Sequence, residues 1–166
     1  YIMLSIIVAV HNQLGHNQLF LEGIQRYTTG PYEVIVIDNH STDGSAEFFE
    51  ANGCRVIRND RNLCYPESMN LGSGLASGEF LCHINNDLYV APNWNGCLIE
   101  AMERHRLDAA SPLGLEMMPT ASLTDWMQGR WAAIGQGRLS SGKGIDQLRT
   151  MIQAMYGDWE RYCGEA

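Results

Sequence analysis

Residues 81–90, LCHINNDLYV, place two carboxamides and one carboxylate inside a largely apolar stretch. Burying such groups without hydrogen-bond partners is costly, so a functional reason for the cluster has to be considered. Asp87 suits a hard divalent cation, because these ions take oxygen ligands and Mg²⁺ is usually held by one or two carboxylates together with substrate phosphates. Asn85 and Asn86 would add a carbonyl oxygen, or hold a water molecule, without adding charge. The cluster is therefore a candidate metal site centred on Asp87.

Two earlier apolar runs also end in polar residues, at residues 11–12 and 38–39. If the runs are parallel strands, their carboxyl ends lie along one edge of a sheet, where open α/β sheets bind ligands. Asp38 is suited to accept a hydrogen bond from a nucleobase N–H or a ribose hydroxyl. The alternative for each cluster is a turn, because Asn and Asp bond to their own backbone, and Ser41 and Asp43 are candidates for capping it. Three clusters at equivalent strand ends favour a ligand-binding edge.

The elements that would position these clusters are strands alternating with helices. The run at residues 5–10 is continuously apolar and β-branched, as in a strand covered on both faces. The alternation predicts βαβ units and an α/β, Rossmann-like fold with a mostly parallel central sheet flanked by helices. Residues 114–144, rich in Gly and Ser, give no clear signal. The predicted strands are 5–10, 33–37, 54–57, 79–84 and a weak one at 108–112, and the predicted helices are 14–27, 45–52, 66–76, 92–105 and 147–162.

Composition narrows the class of protein. The chain has 166 residues, which suits one domain, and a net charge of −8. That charge argues against a general nucleic-acid binder, which needs clustered Lys and Arg. No apolar run approaches the roughly 20 residues of a membrane span and no signal-peptide pattern opens the chain, so we expect a cytoplasmic protein, free or peripheral to the inner face of the membrane. Five cysteines without a CxxC pair predict free thiols, with Cys82 and Cys97 buried.

Three segments resemble the motifs of one family. Residues 5–13, SIIVAVHNQ, are similar to an opening strand that usually reads SIIIPxYN, and residues 34–45, VIVIDNHSTDGS, to a segment that reads VIVVDNGSTDGS. Residues 61–94 resemble the stretch from NxGxxxxxNxG through AxGEY to an LNND or DxD motif followed by PxW. These motifs occur in the family's order and spacing over roughly residues 4–105. The chain thus resembles the nucleotide-binding part of an inverting glycosyltransferase of family 2, which has the GT-A fold.

The resemblance implies a site for a nucleotide-diphosphate sugar with Mn²⁺ or Mg²⁺, and an acceptor hydroxyl, on a glycan or another molecule, as second substrate. Asp87 matches the metal-binding final Asp of the motif, and Asn85 takes the place of its first Asp. Asp38 and Asn39 match the pair that contacts the nucleobase and ribose. The candidate nucleotide-binding residues are Val10, His11, Asn12, Asp38, Asn39, Ser41, Asn62, Asn70 and Asn86.

Some positions depart from the family pattern. Ala9 and His11 replace the usual Pro and Tyr, and His40 replaces a Gly. A histidine ring can still stack on a base, so this departure preserves the base pocket. Asn85 removes a negative charge beside the cation, which weakens cation binding or leaves Asp87 as the only direct side-chain ligand.

Inverting transfer needs a general base that takes the proton of the acceptor hydroxyl. In the family this base usually lies in a Glu-Asp motif downstream of the metal motif, and no such pair follows here. No base is therefore assigned. We expect residues 1–112 to form the donor-binding half and residues 113–166 to lead toward an acceptor half that is truncated. The single acids in this later region are Asp125, Asp146, Asp158 and Glu160.

Other interpretations can be weighed against this one. Residues 137–144 match the phosphate-binding pattern GxxxxGK, but Gly144 stands where a Ser or Thr should hold Mg²⁺, and residues 131–134 make a poor preceding strand. A nucleotidyltransferase would carry a basic, Gly-rich loop after the first strand, and that loop here has no Lys or Arg. The five histidines lack the spacing of a zinc site. A non-catalytic nucleotide-sugar-binding module, or an inactive remnant, stays the main alternative.

Trp126 and Trp131 are candidates for a platform that stacks on a sugar, because aromatic faces suit partly apolar ligands. Packing in the core is the alternative for both residues.

Overall fold

A parallel sheet organises the amino-terminal part of the molecule. The computed structural model describes residues 3–112, 120–135 and 144–165. Among these residues the strands are β1 (Leu4–Val10), β2 (Tyr32–Asp38), β3 (Arg55–Arg58) and β4 (Phe80–Asn85). They form one sheet in the order β3-β2-β1-β4, and every pair is parallel. The predicted α/β fold with a mostly parallel sheet is confirmed.

Helices connect the strands and then follow them. Pro66 lies in the first turn of the third helix, where its missing N–H costs nothing. The helices of the described residues are α1 (Leu14–Tyr27), α2 (Ser45–Ala51), α3 (Tyr65–Ser73), α4 (Trp94–His105), α5 (Ala121–Gly135), α6 (Ile145–Tyr156) and α7 (Trp159–Glu165).

The core lies on both faces of the sheet, because successive side chains of a strand point to opposite sides. On one face, Ile6 and Val8 of β1 pack with Phe20 of α1 and Phe49 of α2. On the other face, Ile7 of β1 packs with two isoleucines of β2 and with a methionine of α3. The continuous apolar run of β1 thus reflects a strand covered on both sides, as its sequence predicts.

Gly72 lets α3 lie close to the sheet. A Cβ atom at this position would be 2.3 Å from Cγ2 of Ile7, and real Cβ contacts are not that short. The side chain of Ile7 is fully buried, so it has little room to move away. Gly72 therefore fixes the distance between α3 and β1.

Two predictions about the elements are wrong, and one helix was not predicted. Residues 108–112 form no strand; they are exposed, and two alanines and a proline give them little apolar surface to bury. α5 lies in the segment for which the sequence gave no clear signal. It was not predicted because its apolar residues do not follow one stripe along the helix. The helix predicted at 147–162 is two helices, since Gly157 between α6 and α7 has a φ of 69°.

The cysteines are free thiols, as predicted. Cys82 is half-buried, and that burial raises the pKa of its thiol to about 11. Cys97 is exposed on α4, so its predicted burial is wrong: α4 packs inward through Trp94 and Asn95. No helix among the described residues is long and apolar enough to cross a membrane.

Candidate functional site

The carboxyl ends of three strands meet at one edge of the sheet. Val10, the last residue of β1, is paired with Asp38, the last residue of β2. Ala9 is paired with Asn85, the last residue of β4. Since neighbouring strands lie about 4.8 Å apart, the polar residues that follow these ends are brought together. The convergence predicted from the sequence is confirmed.

Asp38 has a buried carboxylate with spare capacity to accept hydrogen bonds. The residue is only 3% exposed. Its Oδ2 accepts a hydrogen bond from the backbone N–H of Ser41 at 3.3 Å. Its Oδ1 is buried and has no hydrogen-bond partner among the described residues. A buried oxygen of this kind is costly unless a ligand or water supplies a donor, so Asp38 is the strongest candidate for ligand recognition at this edge.

The side chain of Asn39, the residue after Asp38, is hydrogen-bonded to other residues of the protein at both its nitrogen and its oxygen. Its amide Nδ2 donates to Oγ of Ser68 at 3.0 Å. Its Oδ1 accepts a hydrogen bond from Nδ2 of Asn59 at 2.8 Å. The Asn39 backbone N–H donates to the carbonyl of Val10 at 2.8 Å. Asn39 therefore joins β1, α3 and the segment after β3, and its predicted contact with a nucleotide stays a prediction.

The loop after β1 is joined to the loop after β2. Nδ1 of His11 lies 2.7 Å from the carbonyl oxygen of Asn39, so this nitrogen carries the proton and donates. The backbone N–H of Asn12 donates to Oγ of Ser41 at 2.8 Å, and Oδ1 of Asn12 accepts from the backbone N–H of Thr42 at 2.8 Å. The other ring nitrogen, Nε2, lies 3.4 Å from Nδ2 of Asn12, and the residue stays exposed. It can offer its face to a ligand.

Val10 and Ser41 have structural contacts that limit their predicted roles. The side chain of Val10 is buried in the core, so only its backbone borders the site. The hydroxyl of Ser41 holds the Asn12 backbone, and the Ser41 N–H holds Asp38. Ser41 thus caps the turn after β2, which is the alternative that the sequence left open.

Asp43, the other capping candidate for this turn, connects two helices. Its Oδ2 accepts from the backbone N–H of Leu14 at 2.9 Å, at the start of α1. Its Oδ1 accepts from Oγ of Ser45 at 2.6 Å and from the Ser45 N–H at 3.1 Å, at the start of α2. Partial burial opposes ionisation, but the hydrogen bonds from Ser45 and Leu14 outweigh it and lower the pKa of Asp43.

The polar residues at the end of β4 fit a cation that is shared with a ligand. Asn85 and Asp87 are exposed, whereas Asn86 is half-buried and donates to Oδ1 of Asn17 at 2.7 Å. Across the described residues, no group of three or more His, Cys, Asp or Glu side chains is gathered as in a metal site. One carboxylate with amide oxygens suits Mg²⁺ or Mn²⁺ only when phosphates complete the ligand set. A nucleoside diphosphate would supply those phosphates.

Asn62 and Asn70 lie apart from this hydrogen-bond network. Both are exposed, Asn62 before α3 and Asn70 on α3. In the part of the chain that the structure describes, no side-chain hydrogen bond connects them to the strand ends. Their predicted contacts with a nucleotide stay predictions.

Several polar residues that support the site were not predicted from the sequence. Asn17 is fully buried on α1, with its side chain bonded to the loop after β1, to α2 and to the turn after β4. A signal was present, because Asn17 precedes Phe20, Leu21 and Ile24 at the spacing of one helix face. An Asn on the buried face of an amphipathic helix needs partners. Ser45, Ser68 and Asn59 gave no comparable signal.

The sugar-stacking platform suggested for Trp126 and Trp131 does not form. Trp126 is 54% exposed and has the guanidinium of Arg130 over its ring, 5.4 Å from the centroid. Trp131 packs edge-on against Tyr156. Five residues apart on α5, the two tryptophans lie on different sides of the helix and form no common platform.

The suggested phosphate-binding loop falls mainly on residues 136–143, outside the described residues. The residues just before it, 131–134, belong to α5, so the strand that such a loop requires is replaced by a helix.

Comparison with known proteins gives the family and the fold. The sequence model described as "Glycosyl transferase family 2" matches residues 5–116. An uncharacterized glycosyltransferase of Haemophilus influenzae is 29% identical over 104 residues, which cover 62% of this chain and 35% of the relative. The glycosyltransferase GlyG of Streptococcus pneumoniae is 25% identical over 111 residues, which cover 64% of this chain and 37% of the relative.

Two solved structures share the architecture. The structure of S. aureus TarS 1-349 in complex with UDP has a TM-score of 0.58 at 19% identity and covers 70% of this chain and 40% of that chain. Glucosyl-3-phosphoglycerate synthase from Mycobacterium tuberculosis, in complex with Mn²⁺, UDP and glucosyl-3-phosphoglycerate, has a TM-score of 0.51 at 19% identity and covers 61% of this chain and 39% of that chain.

The chain spans about a third of the length of the curated relatives, with 35% and 37% of their residues covered. The family match, in contrast, includes more than half of the chain. The chain has the GT-A fold and belongs to glycosyltransferase family 2.

Proposed function

We propose that this chain binds the nucleotide-diphosphate sugar of a metal-dependent, inverting glycosyltransferase, which transfers the sugar to an acceptor hydroxyl. The observation that best supports the proposal is the meeting of three polar strand ends, at residues 10–12, 38–41 and 85–87, on one edge of a parallel sheet. Ligands of open α/β sheets bind at that edge. The relatives' structures contain UDP in one case and UDP with Mn²⁺ in the other, which supports ligands of this kind.

The nucleoside would be recognised at the ends of β1 and β2. Asp38 offers its buried Oδ1 to a nucleobase N–H or a ribose hydroxyl. Because this oxygen is buried, a ligand would have to move neighbouring groups to reach it. The exposed ring of His11 offers an aromatic face on which a base can stack. Recognition thus combines one buried acceptor with one exposed ring.

The diphosphate would be bound at the end of β4. Asp87 and Asn85 are the side chains that would hold Mn²⁺ or Mg²⁺ there, and both are exposed. When bound, the cation would neutralise charge on the diphosphate leaving group as a Lewis acid. With one carboxylate, this site should bind the cation weakly alone and more tightly with the nucleotide.

The transfer itself exchanges one bond for another. The acceptor oxygen forms a bond to the anomeric carbon while the bond from that carbon to the diphosphate oxygen breaks, and attack from the opposite side inverts the anomeric centre. The hydroxyl proton passes to a general base, to which no described residue is assigned. The acceptor proposed is a hydroxyl of a glycan or of another molecule.

Calorimetric titration tests the proposal. UDP, GDP, dTDP and ATP are titrated separately into the chain, each with and without Mn²⁺. We expect one diphosphate, with UDP as the first probe, to bind more tightly when Mn²⁺ is present. Binding of ATP alone, or of no nucleotide, would contradict a donor site in this chain. If a nucleoside diphosphate binds but the nucleotide sugar is never turned over by the protein with any acceptor, the non-catalytic binding module becomes the better interpretation.

A further inference from the structure

Asn17 is a fully buried polar residue to which the proposed donor site has not yet given a role. It lies in the first turn of α1 with no exposed surface. Its Nδ2 donates to the backbone carbonyl of Asn12 at 3.0 Å and to Oγ of Ser45 at 2.8 Å. Its Oδ1 accepts from Nδ2 of Asn86 at 2.7 Å. Both amide hydrogens and one oxygen lone pair are therefore used.

The orientation of this amide follows from its partners. A backbone carbonyl can only accept, so the Asn17 atom facing Asn12 has to be the nitrogen. The oxygen is then the atom that faces Asn86. An aspartate in this place would keep the acceptor but lose both donors, and an apolar side chain would lose all three hydrogen bonds.

The three partners belong to three separate elements of the site. Asn12 is in the loop after β1, Ser45 begins α2, and Asn86 is in the turn after β4, directly before Asp87. In the described sheet β4 pairs with β1 alone, so the turn lies at an edge with no strand beyond it. The side chain of Asn17 thus connects the turn that is proposed to bind the metal to the loop that is proposed to hold the nucleoside.

We infer that Asn17 is a positioning residue, which holds the Asn86–Asp87 turn at a fixed place relative to the nucleoside pocket so that the cation and the base engage one nucleotide together. This inference rests on the proposed donor site. Asn17 contacts neither the cation nor the nucleotide in this arrangement; it acts through Asn86 and Asn12. Outer residues that orient metal ligands typically change metal affinity 10- to 100-fold when mutated.

The matched control is Asn95. It is also a buried asparagine, 4% exposed, and it also bridges two elements, since its Oδ1 accepts from the Thr29 N–H at 3.0 Å and its Nδ2 donates to the Thr29 carbonyl at 2.8 Å. It connects the end of α1 to α4, away from the strand ends that form the site. Asn95→Ala therefore removes a comparable buried amide without touching the site.

The first measurement compares UDP binding with and without Mn²⁺ in the wild type, Asn17→Ala and Asn95→Ala. For Asn17→Ala we expect the increase in affinity caused by Mn²⁺ to fall about tenfold, while affinity without Mn²⁺ changes less than about threefold. Asn95→Ala should keep the wild-type increase. An unchanged Mn²⁺ effect in folded Asn17→Ala would overturn the inference. Asn17→Ser, which keeps a small polar group, serves if the alanine variant does not fold.

The second measurement needs no ligand, so it separates this inference from the proposed function. Backbone order parameters from ¹⁵N relaxation are measured for residues 85–88 in the three proteins. In Asn17→Ala they should fall from values near 0.85, typical of a rigid backbone, toward about 0.6, and they should not change in Asn95→Ala. Order parameters that stay rigid in Asn17→Ala would show that Asn17 does not hold the turn, even if the wild type binds no nucleotide at all.

Discussion

Asp38 and Asn39 are adjacent in the sequence, but the structure gives their side chains different roles. Asp38 keeps one buried oxygen without a hydrogen-bond partner among the described residues, whereas the amide of Asn39 bonds to Ser68 and Asn59. Asp38 therefore has an acceptor that a ligand could satisfy, whereas both ends of the Asn39 amide already have protein partners. A motif that matches a pair of residues therefore contains one candidate for recognition and one residue that holds the elements together.

Replacing Asn39 with alanine should destabilise the protein. The amide of Asn59 and the hydroxyl of Ser68 would lose their partner, and leaving buried polar groups unpaired costs about 1–3 kcal/mol. Urea unfolding followed by circular dichroism measures the loss, with Asn62→Ala, an exposed asparagine, as the control that should change little. If Asn39→Ala kept full stability and lost nucleotide binding instead, Asn39 would be a contact residue.

The hydrogen bonds of Asp43 predict a dependence of stability on pH. Because the folded state lowers the pKa of Asp43, its carboxylate stabilises the fold above its unfolded pKa of about 4, and this contribution is lost as the pH falls through the lower folded value. The difference in the free energy of unfolding between wild type and Asp43→Asn should be largest near neutral pH and shrink below about pH 4.

Urea unfolding of both proteins from pH 7 to pH 3 checks this prediction. Asp125→Asn, which changes an exposed aspartate on α5, should show no such trend. A difference for Asp43→Asn that stayed constant over the whole range would mean that the carboxylate does not cap α1 and α2 in its ionised form.

At the scale of elements, α3 packs on the sheet through a glycine. Gly72→Ala would place a methyl group 2.3 Å from Cγ2 of the fully buried Ile7, so either α3 or β1 has to shift. Overpacking of this kind typically costs about 1–3 kcal/mol. The free energy of unfolding, measured with urea, should fall by that amount.

Gly74 provides the control for this substitution. It ends α3 with a φ of −67°, and a Cβ there would meet its nearest atoms at an ordinary 3.6 Å. Gly74→Ala should therefore leave stability nearly unchanged. Equal losses for the two variants would show that the loss reflects glycine replacement in α3 in general and not the contact with Ile7.

The elements near the sheet could be predicted from the sequence because burial on both faces makes β1 and β2 continuously apolar. The later helices could be predicted only in part. α5 has exposed Leu123 and Trp126 beside buried Met127, so no single apolar stripe marks it. The break between α6 and α7 depends on the positive φ of Gly157. A glycine permits a positive φ, but its presence in the sequence does not show that it adopts one. In the candidate site, the residues at the strand ends could be predicted from the sequence. The role of Asn17 could not, because it depends on which residues pack against its face of α1.

At the scale of the whole molecule, α6 and α7 contact α1 and so join the later helices to the part that contains the sheet. Leu148 of α6 is buried, while Arg149 beside it forms an exposed ion pair with Glu22 of α1. Arg26 and Glu160 form a second exposed pair between α1 and α7. Exposed pairs contribute little, so we expect the apolar contacts to hold the helices in place.

Leu148→Ala and Arg149→Ala should therefore differ in effect. Removing the buried leucine should lower the free energy of unfolding by about 2–5 kcal/mol, and removing the exposed arginine by about 1 kcal/mol or less. Calorimetric and spectroscopic unfolding should show one transition for both variants. A separate, early transition in Leu148→Ala would indicate that the later helices unfold independently of the sheet.

The net charge of −8 opposes binding of an anionic donor. An anionic protein and an anionic diphosphate repel each other unless a cation lies between them. This is consistent with the proposed site at the end of β4. The neutral Asn85 beside Asp87 leaves the phosphates themselves to supply most of the cation's ligands. Recognition of the donor is then divided between a base pocket and a metal-dependent phosphate site.

The measurement that tests this division most directly is calorimetric titration of UDP, with and without Mn²⁺, into wild type, Asp38→Asn and Asp87→Asn, with Asp125→Asn as control. Asp38→Asn should weaken binding about tenfold under both conditions, because it removes a charged acceptor for the nucleoside. Asp87→Asn should leave metal-free binding unchanged and remove most of the gain from Mn²⁺. If Asp87→Asn bound UDP with the same dependence on Mn²⁺ as the wild type, the strand-end cluster would not be the metal-diphosphate site.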